Sequence, residues 1–234
     1  MYSIHHLLRQ MLVSVCPLCA MRSYAGDLCD GCANDVLRSR QRGTWCQQCA
    51  VRVAPGVQRC THCTYRNPAF TQTLVAMDYG YPGAMLIRGL KEHGRLANAR
   101  LFARMLAQTL AVHPHHLPPV SVLVPIPSSQ ASLARRGFNP AAEIARALSA
   151  QISVPVKYWL SRTREASLQK TLDFEERRQS VRGLYACSGP VPPVWVGLVD
   201  DVLTSGSTMH ETALALKRSG ALGVVAFVAA RAVW

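Results

Sequence analysis

Lysine is nearly missing from this chain of 234 residues. It occurs only at Lys91, Lys157, Lys170 and Lys217, so most of the 26 basic residues are arginine. Acidic residues are also few, 13 in all, leaving a formal charge of +13. A charged fraction of 17% beside an apolar fraction of 49% excludes a disordered polyelectrolyte and fits a folded globular chain. No apolar run approaches the roughly 18–20 residues that a helix needs to span a bilayer, so no transmembrane segment is expected. The opening MYSIHHLLRQMLVSVCPLC carries one Arg, a short apolar stretch and no small-residue cleavage site. It reads as an amphipathic lead-in rather than a signal peptide, and a cytoplasmic location is expected. The arginine excess suits phosphorylated or nucleic-acid partners, because guanidinium binds phosphate bidentately and stacks on bases. A GC-rich genome produces the same bias, so charge alone does not decide.

Beyond Cys63 cysteine is lacking too, except at Cys187. The other eight stand as CxxC pairs: Cys16 and Cys19, Cys29 and Cys32, Cys46 and Cys49, Cys60 and Cys63. A CxxC turn puts two sulfurs on one side of a knuckle, and two knuckles complete the tetrahedral cage zinc requires. Nine residues separate Cys19 from Cys29 and ten separate Cys49 from Cys60, which is the mark of an internal repeat. Two structural Zn²⁺ sites are expected in residues 1–66, a double zinc ribbon, with sequential ligation favoured over a cross-braced arrangement. A disulfide framework needs an oxidising compartment, and a redox CxxC occurs once rather than four times. Large apolar residues are few here, so metal must supply much of the folding free energy. Full thiolate cages leave no open position for catalysis, and at net −2 each they lower the charge from +13 to about +9. His62 reads as a bystander within the last knuckle, and Cys187 as a small residue near a strand.

From about residue 70 the pattern alternates strand and helix. Strands are expected at 73–79, 120–125, 194–199 and 223–230. Helices are expected at 82–94, 96–113, 139–152 and 207–219. Continuous apolar strands separated by helices predict an α/β fold, a parallel sheet with helices on both faces. Ligands of such sheets bind at the strands' carboxyl ends. Three segments fall there: PIPSS with ARRGFN behind it (125–139), the charged stretch 161–183, and VGLVDDVLTSGSTM (196–209).

The last is the most informative. With Val199 expected to end its strand, Asp200 and Asp201 repel one another at the sheet edge, and packing does not need them. The small residues Thr204, Ser205, Gly206, Ser207 and Thr208 then enter a helix N-terminus, where backbone N–H groups and hydroxyls make an anion cradle. A ribose 5-phosphate satisfies both ends: vicinal hydroxyls donate to the aspartates and the phosphate enters the cradle. Arg135 and Arg136 fit a phosphate site or a solvated loop equally well. The charges of 161–183 also fit an exposed helix with i, i+4 pairs. Lys91, His93 and Arg95 read more readily as a polar helix C-cap than as ligands.

These residues resemble the phosphoribosyl pyrophosphate (PRPP) motif of type I phosphoribosyltransferases. The wider chain resembles the ComF family, which joins a double zinc ribbon to such a domain. The likeness includes LKEHGR (90–95), VPIPSSQASLARRGFN (124–139), ERRQSVRGLY (176–185) and GLVDDVLTSGSTM (197–209). It implies a type I phosphoribosyltransferase-like domain over 70–234, with Asp200 and Asp201 on the ribose hydroxyls and Thr204 to Thr208 on the 5-phosphate. It further implies Ser128 and Ser129 facing pyrophosphate, and 161–183 as a flap offering Arg162, Gln169, Arg177 and Arg178. Mg²⁺ would accompany PRPP. The chain departs from the family pattern at Ala166 and Ser180, both in that flap. Two activities follow from the resemblance: pentosyl transfer from PRPP, and a role in natural competence or nucleotide-linked metabolism, with single-stranded DNA and DNA-uptake proteins as partners. In the alternative, the PRPP fold serves a DNA-binding factor as sensor or scaffold.

Overall fold

The computed structural model describes residues 13–41, 43–112, 117–164 and 181–232. Its centre is a parallel sheet of β5 (Gln72–Tyr79), β6 (Val120–Pro125), β9 (Trp195–Leu203) and β10 (Gly223–Ala232), in the order β5-β10-β9-β6. Side chains two apart along each strand share a face. Val75, Val124, Leu198 and Val228 therefore join one core, and Leu74, Leu123, Phe227 and Ala229 the other. Both faces being buried explains why these strands read as apolar runs without alternation. Gly197 is required by this packing, since a Cβ there would stand 2.7 Å from Leu123 and 3.0 Å from Phe227.

The helices are α1 (Asp30–Gln41), α2 (Thr61–Arg66), α3 (Gly83–His93), α4 (Ala97–Val112), α5 (Gln130–Arg136), α6 (Pro140–Ile152) and α7 (Ser207–Arg218). The expected parallel sheet with helices on both faces is thus present. α3, α4 and α6 supply Leu86, Phe102 and Ile144 to one face. The other receives Met209 and Leu216 of α7, together with the hairpin of β7 (Leu160–Arg162) and β8 (Tyr185–Cys187). Cys187 is half-buried against that core, as a small strand residue.

The cysteine-bearing segment contributes a two-stranded sheet to each half: β1 (Val13–Val15) with β2 (Arg22–Tyr24), and β3 (Thr44–Trp45) with β4 (Arg52–Val53). Each sheet is followed by a short helix, α1 or α2. The two halves serve different cores. Val36 of α1 is buried with the α3–α4–α6 face, whereas Cys46, Cys49 and Cys63 are buried with the α7 face. Among the described residues no helix is long and apolar enough to cross a membrane.

Candidate functional site

β9 does not end at Val199. It runs on to Leu203, so both aspartates are strand residues, contrary to the sequence expectation. The cause is β10, which pairs Val228 with Asp200, Ala230 with Val202 and Arg231 with Leu203. On its other side β9 loses its neighbour, because β6 ends where Pro125 pairs with Val199. Asp200 therefore stands one residue beyond the last pairing with β6. Asp201 is buried and accepts from Lys91 Nζ at 2.8 Å. Its own N–H donates to Asp200 Oδ1 at 2.8 Å. Burial, and then the charge of Asp201, push Asp200 up to about 7, against the opposing pull of Lys91. Lys91 therefore bonds an acid of β9 and does not cap its own helix. Gly94, in the left-handed conformation, closes α3 instead.

The Ser/Thr turn follows directly. Gly206 has φ +82°, the left-handed geometry in which a side chain is strained, and caps α7. Ser205 Oγ donates to Ser207 Oγ at 3.0 Å and accepts from the Ser207 N–H at 3.3 Å, which fixes the turn. The arrangement leads first-turn N–H groups of a twelve-residue helix into the same end of the sheet as the acids.

At the end of β6 the two serines already have structural partners. Ser128 Oγ donates to Asn139 Oδ1 at 3.0 Å. Ser129 is buried and caps α5, accepting from the Ser132 N–H at 3.2 Å and donating to Ser132 Oγ. Arg135 and Arg136 fall in the last turn of α5. Arg162 ends β7 with its guanidinium 5.7 Å from the Tyr185 ring centre, and its buried Nε has no partner among the described residues. Gln169, Arg177 and Arg178, like Ala166 and Ser180, lie outside the described residues.

Two further residues border the turn that the sequence does not single out. His210 of α7 accepts from the Ala69 N–H at 3.0 Å. Arg231 is buried in β10 and bonded to backbone carbonyls of β9, the loop and the second knuckle. One signal for Arg231 is present: a lone cation inside the apolar strand GVVAFVAARA.

The cysteines gather in chain order, without interleaving. Cys16, Cys19, Cys29 and Cys32 form one set and Cys46, Cys49, Cys60 and Cys63 the other, with all ligand atoms of a set within 4.8 Å. Sulfur separations of 3.5 Å for Cys19–Cys29 and 3.6 Å for Cys49–Cys60 match the edges of a tetrahedron with zinc–sulfur bonds of about 2.3 Å. Thiols this close compete for protons. Bonds from Cys49 and Cys63 hold Cys46 far below the usual thiol range, while Cys63 is pushed up. A thiophilic cation in place of those protons relieves the competition, so both sets can hold zinc. His62, exposed on α2, belongs to neither.

A parallel α/β sheet with an acid pair and a Ser/Thr turn at its carboxyl edge, carrying two four-cysteine knuckle units, defines the class of this protein. No family model matches the chain. It is 30% identical over 224 residues to the DNA utilization protein YhgH of Salmonella typhi, covering 90% of this chain and 93% of that protein. The YhgH protein of Escherichia coli K12 is 28% identical over the same coverage. Competence protein F of Haemophilus influenzae is 26% identical over 211 residues, 88% of this chain and 90% of that protein. The chain belongs to this competence protein F and YhgH family, the ComF family.

Proposed function

We propose that this protein binds PRPP with Mg²⁺ at the carboxyl edge of its sheet and serves DNA uptake or utilization, in keeping with relatives named for competence and for DNA utilization. One observation carries the ligand: an acid pair on β9 just beyond the end of β6, followed within one turn by a Gly-capped helix N-terminus. Asp200 and Asp201 accept the ribose hydroxyls, and the N–H groups and hydroxyls of Thr204 to Thr208 receive the 5-phosphate. The acids are hard oxygen donors of the kind Mg²⁺ takes, and that ion would neutralise pyrophosphate charge. Lys91, 2.8 Å from Asp201, adds a positive charge at the same edge. Ser128 and Ser129 shape the loop on the pyrophosphate side through the bonds they make. In a pentosyl transfer, C1 would lose pyrophosphate through a cation-like transition state, which the two carboxylates stabilise electrostatically.

In this reading residues 1–66 form the double zinc ribbon and 70–234 the phosphoribosyltransferase-like domain, with zinc in each four-cysteine set. The cytoplasm, where thiols stay reduced, is the proposed place of action. Calorimetry with PRPP and Mg²⁺ tests the site. Wild type is expected to bind, and Asp200→Asn with Asp201→Asn to lose binding; equal affinity in both proteins sinks the proposal. Pyrophosphate release with candidate acceptors then separates a transferase from a sensor.

A second reading, direct binding of single-stranded DNA, is favoured by the second knuckle unit. Tyr65 is 84% exposed on α2, and Arg52 and Arg66 are exposed on the same unit. An open aromatic face beside arginines suits base stacking along a phosphate backbone.

A further inference from the structure

A single side chain joins the second four-cysteine set to the Ser/Thr loop. Arg231 lies in β10, a strand buried along its whole length, and is itself only 6% exposed. Its Nε donates to the Cys49 carbonyl at 2.8 Å. Its Nη1 donates to the carbonyls of Leu203 at 2.9 Å, Thr204 at 2.7 Å and Ala232 at 2.6 Å. Cys49 supplies a sulfur to the second set, and at Leu203 and Thr204 the strand β9 becomes the loop. Hydrogen bonds thus run from a metal-ligand residue to the first residue of the loop through one planar guanidinium.

Thr204, Ser205, Gly206 and Ser207 line a cavity of about 230 Å³ whose lining also includes Cys49 and Cys60. Arg231 lines the same cavity and bonds both the Cys49 and the Thr204 carbonyl. The guanidinium fork therefore sets the spacing between knuckle and loop, in a geometry that a lysine ammonium does not reproduce. If the knuckle loosens on metal loss, the Cys49 carbonyl withdraws and a buried cationic donor is left short of an acceptor. It must then shift toward its remaining acceptors, which are the carbonyls of the loop's first turn.

We propose that Arg231 is a positioning residue that couples metal occupancy of the second four-cysteine set to the anion affinity of loop 204–208. This rests on the reading of that loop as a phosphate site. Among the described residues the first set has no such bond to the loop. Arg104 of α4, on the opposite face of the sheet, donates to Asp27 Oδ1 at 2.6 Å and to the Gly26 carbonyl at 3.1 Å, and Arg40 of α1 donates to Asp78 Oδ1 at 2.6 Å and to the Ala50 carbonyl at 3.3 Å, neither reaching 204–208. Linkage makes the effect reciprocal: a phosphate ligand in the loop must tighten metal in the second set and leave the first unchanged.

The test uses the full zinc-loaded chain with two readouts, PRPP/Mg²⁺ affinity by calorimetry and zinc release to a chromophoric chelator with and without PRPP. Arg231→Lys is expected to weaken PRPP about tenfold, or about 1.4 kcal/mol. Arg104→Met is expected to stay within about twofold of wild type. PRPP should slow release of one zinc of the two in wild type and of neither in Arg231→Lys. Wild-type affinity in a folded Arg231→Lys protein, or equal protection of both ions by PRPP, overturns the coupling. Failure of wild type to bind PRPP defeats the phosphate reading instead. The strut is then judged by ligand-free release: faster loss of one zinc in Arg231→Lys than in wild type and Arg104→Met supports it, and equal rates overturn it. Arg231→Met is the stronger truncation, and Arg231→Lys, which keeps the charge on a long side chain, carries the test where Arg231→Met does not fold.

Discussion

Asp200 costs the ligand-free fold something and, in the proposed site, supplies the chemistry. Its folded pKa, pushed up to about 7 by burial and by Asp201, lies above the unfolded value of about 3.9. Between those values the folded state holds the extra proton, so stability must fall as pH rises from about 4 to about 7. Urea unfolding of the ligand-free protein should show that decline. Asp200→Asn should flatten it and be the more stable protein at pH 8. A wild-type stability that rises over this window would contradict the assignment. PRPP affinity should move the other way, increasing through about pH 7 as Asp200 becomes an acceptor-only carboxylate able to take both hydroxyl donors. The acid pair itself is legible in the sequence, because adjacent carboxylates in an apolar run have no packing role. Lys91 is not. It meets Asp201 across 110 positions, and local reading sees only a basic residue near a helix end.

Elements with an apolar period are legible, and those defined only by their ends are not. The four sheet strands and α3, α4, α6 and α7 each bury residues that mark their pattern. By contrast α5 buries none of its seven residues, and its sequence QASLARR carries no stripe to read. What makes it a helix is Ser129 at the N-cap and Gly137 in the left-handed conformation at the C-cap. α1 escapes sequence reading for a related cause: its polar sequence turns one short apolar edge, including Val36, onto the sheet face. The sequence reading of β9 stops at Val199 because the charges of Asp200 and Asp201 mimic a strand end, whereas pairing with β10 decides the length. The cap has a measurable consequence. Ser129→Ala should cost about 1 kcal/mol of stability, read as a lower urea midpoint at constant slope. Ser129→Asp should restore most of it, since a carboxylate also accepts from the Ser132 N–H. If Ser129→Ala instead leaves the midpoint unchanged and abolishes PRPP binding, the hydroxyl serves the ligand and not the helix.

Across the whole molecule the two knuckle units grip opposite faces of one sheet, the first through Arg104 and Asp27, the second through Arg231 and through Gln48, which donates to the carbonyls of Pro68 and Phe70. Their cysteines and spacing are plain in the sequence, but this docking is not, because it depends on buried arginines bonded to carbonyls far along the chain. Zinc in both sets would bring the formal charge from +13 to about +9, still an excess large enough to draw a polyanion. If single-stranded DNA lies on the second unit, two physically different contacts must separate in experiment. Arginine–phosphate contacts release counterions, so affinity should fall with salt, each contact contributing about −0.7 to the slope of log K against log salt. Arg52→Ala and Arg66→Ala should each reduce the steepness by about that amount. Tyr65, with 84% of its surface exposed, would stack on a base and release no ions. Tyr65→Ala should therefore weaken binding by about 1–3 kcal/mol at every salt concentration and leave the slope unchanged. Fluorescence anisotropy with a labelled oligonucleotide across a salt series reads both quantities at once. An affinity independent of salt removes the arginines from the interface, and a Tyr65→Ala protein that binds like wild type removes the stacking face.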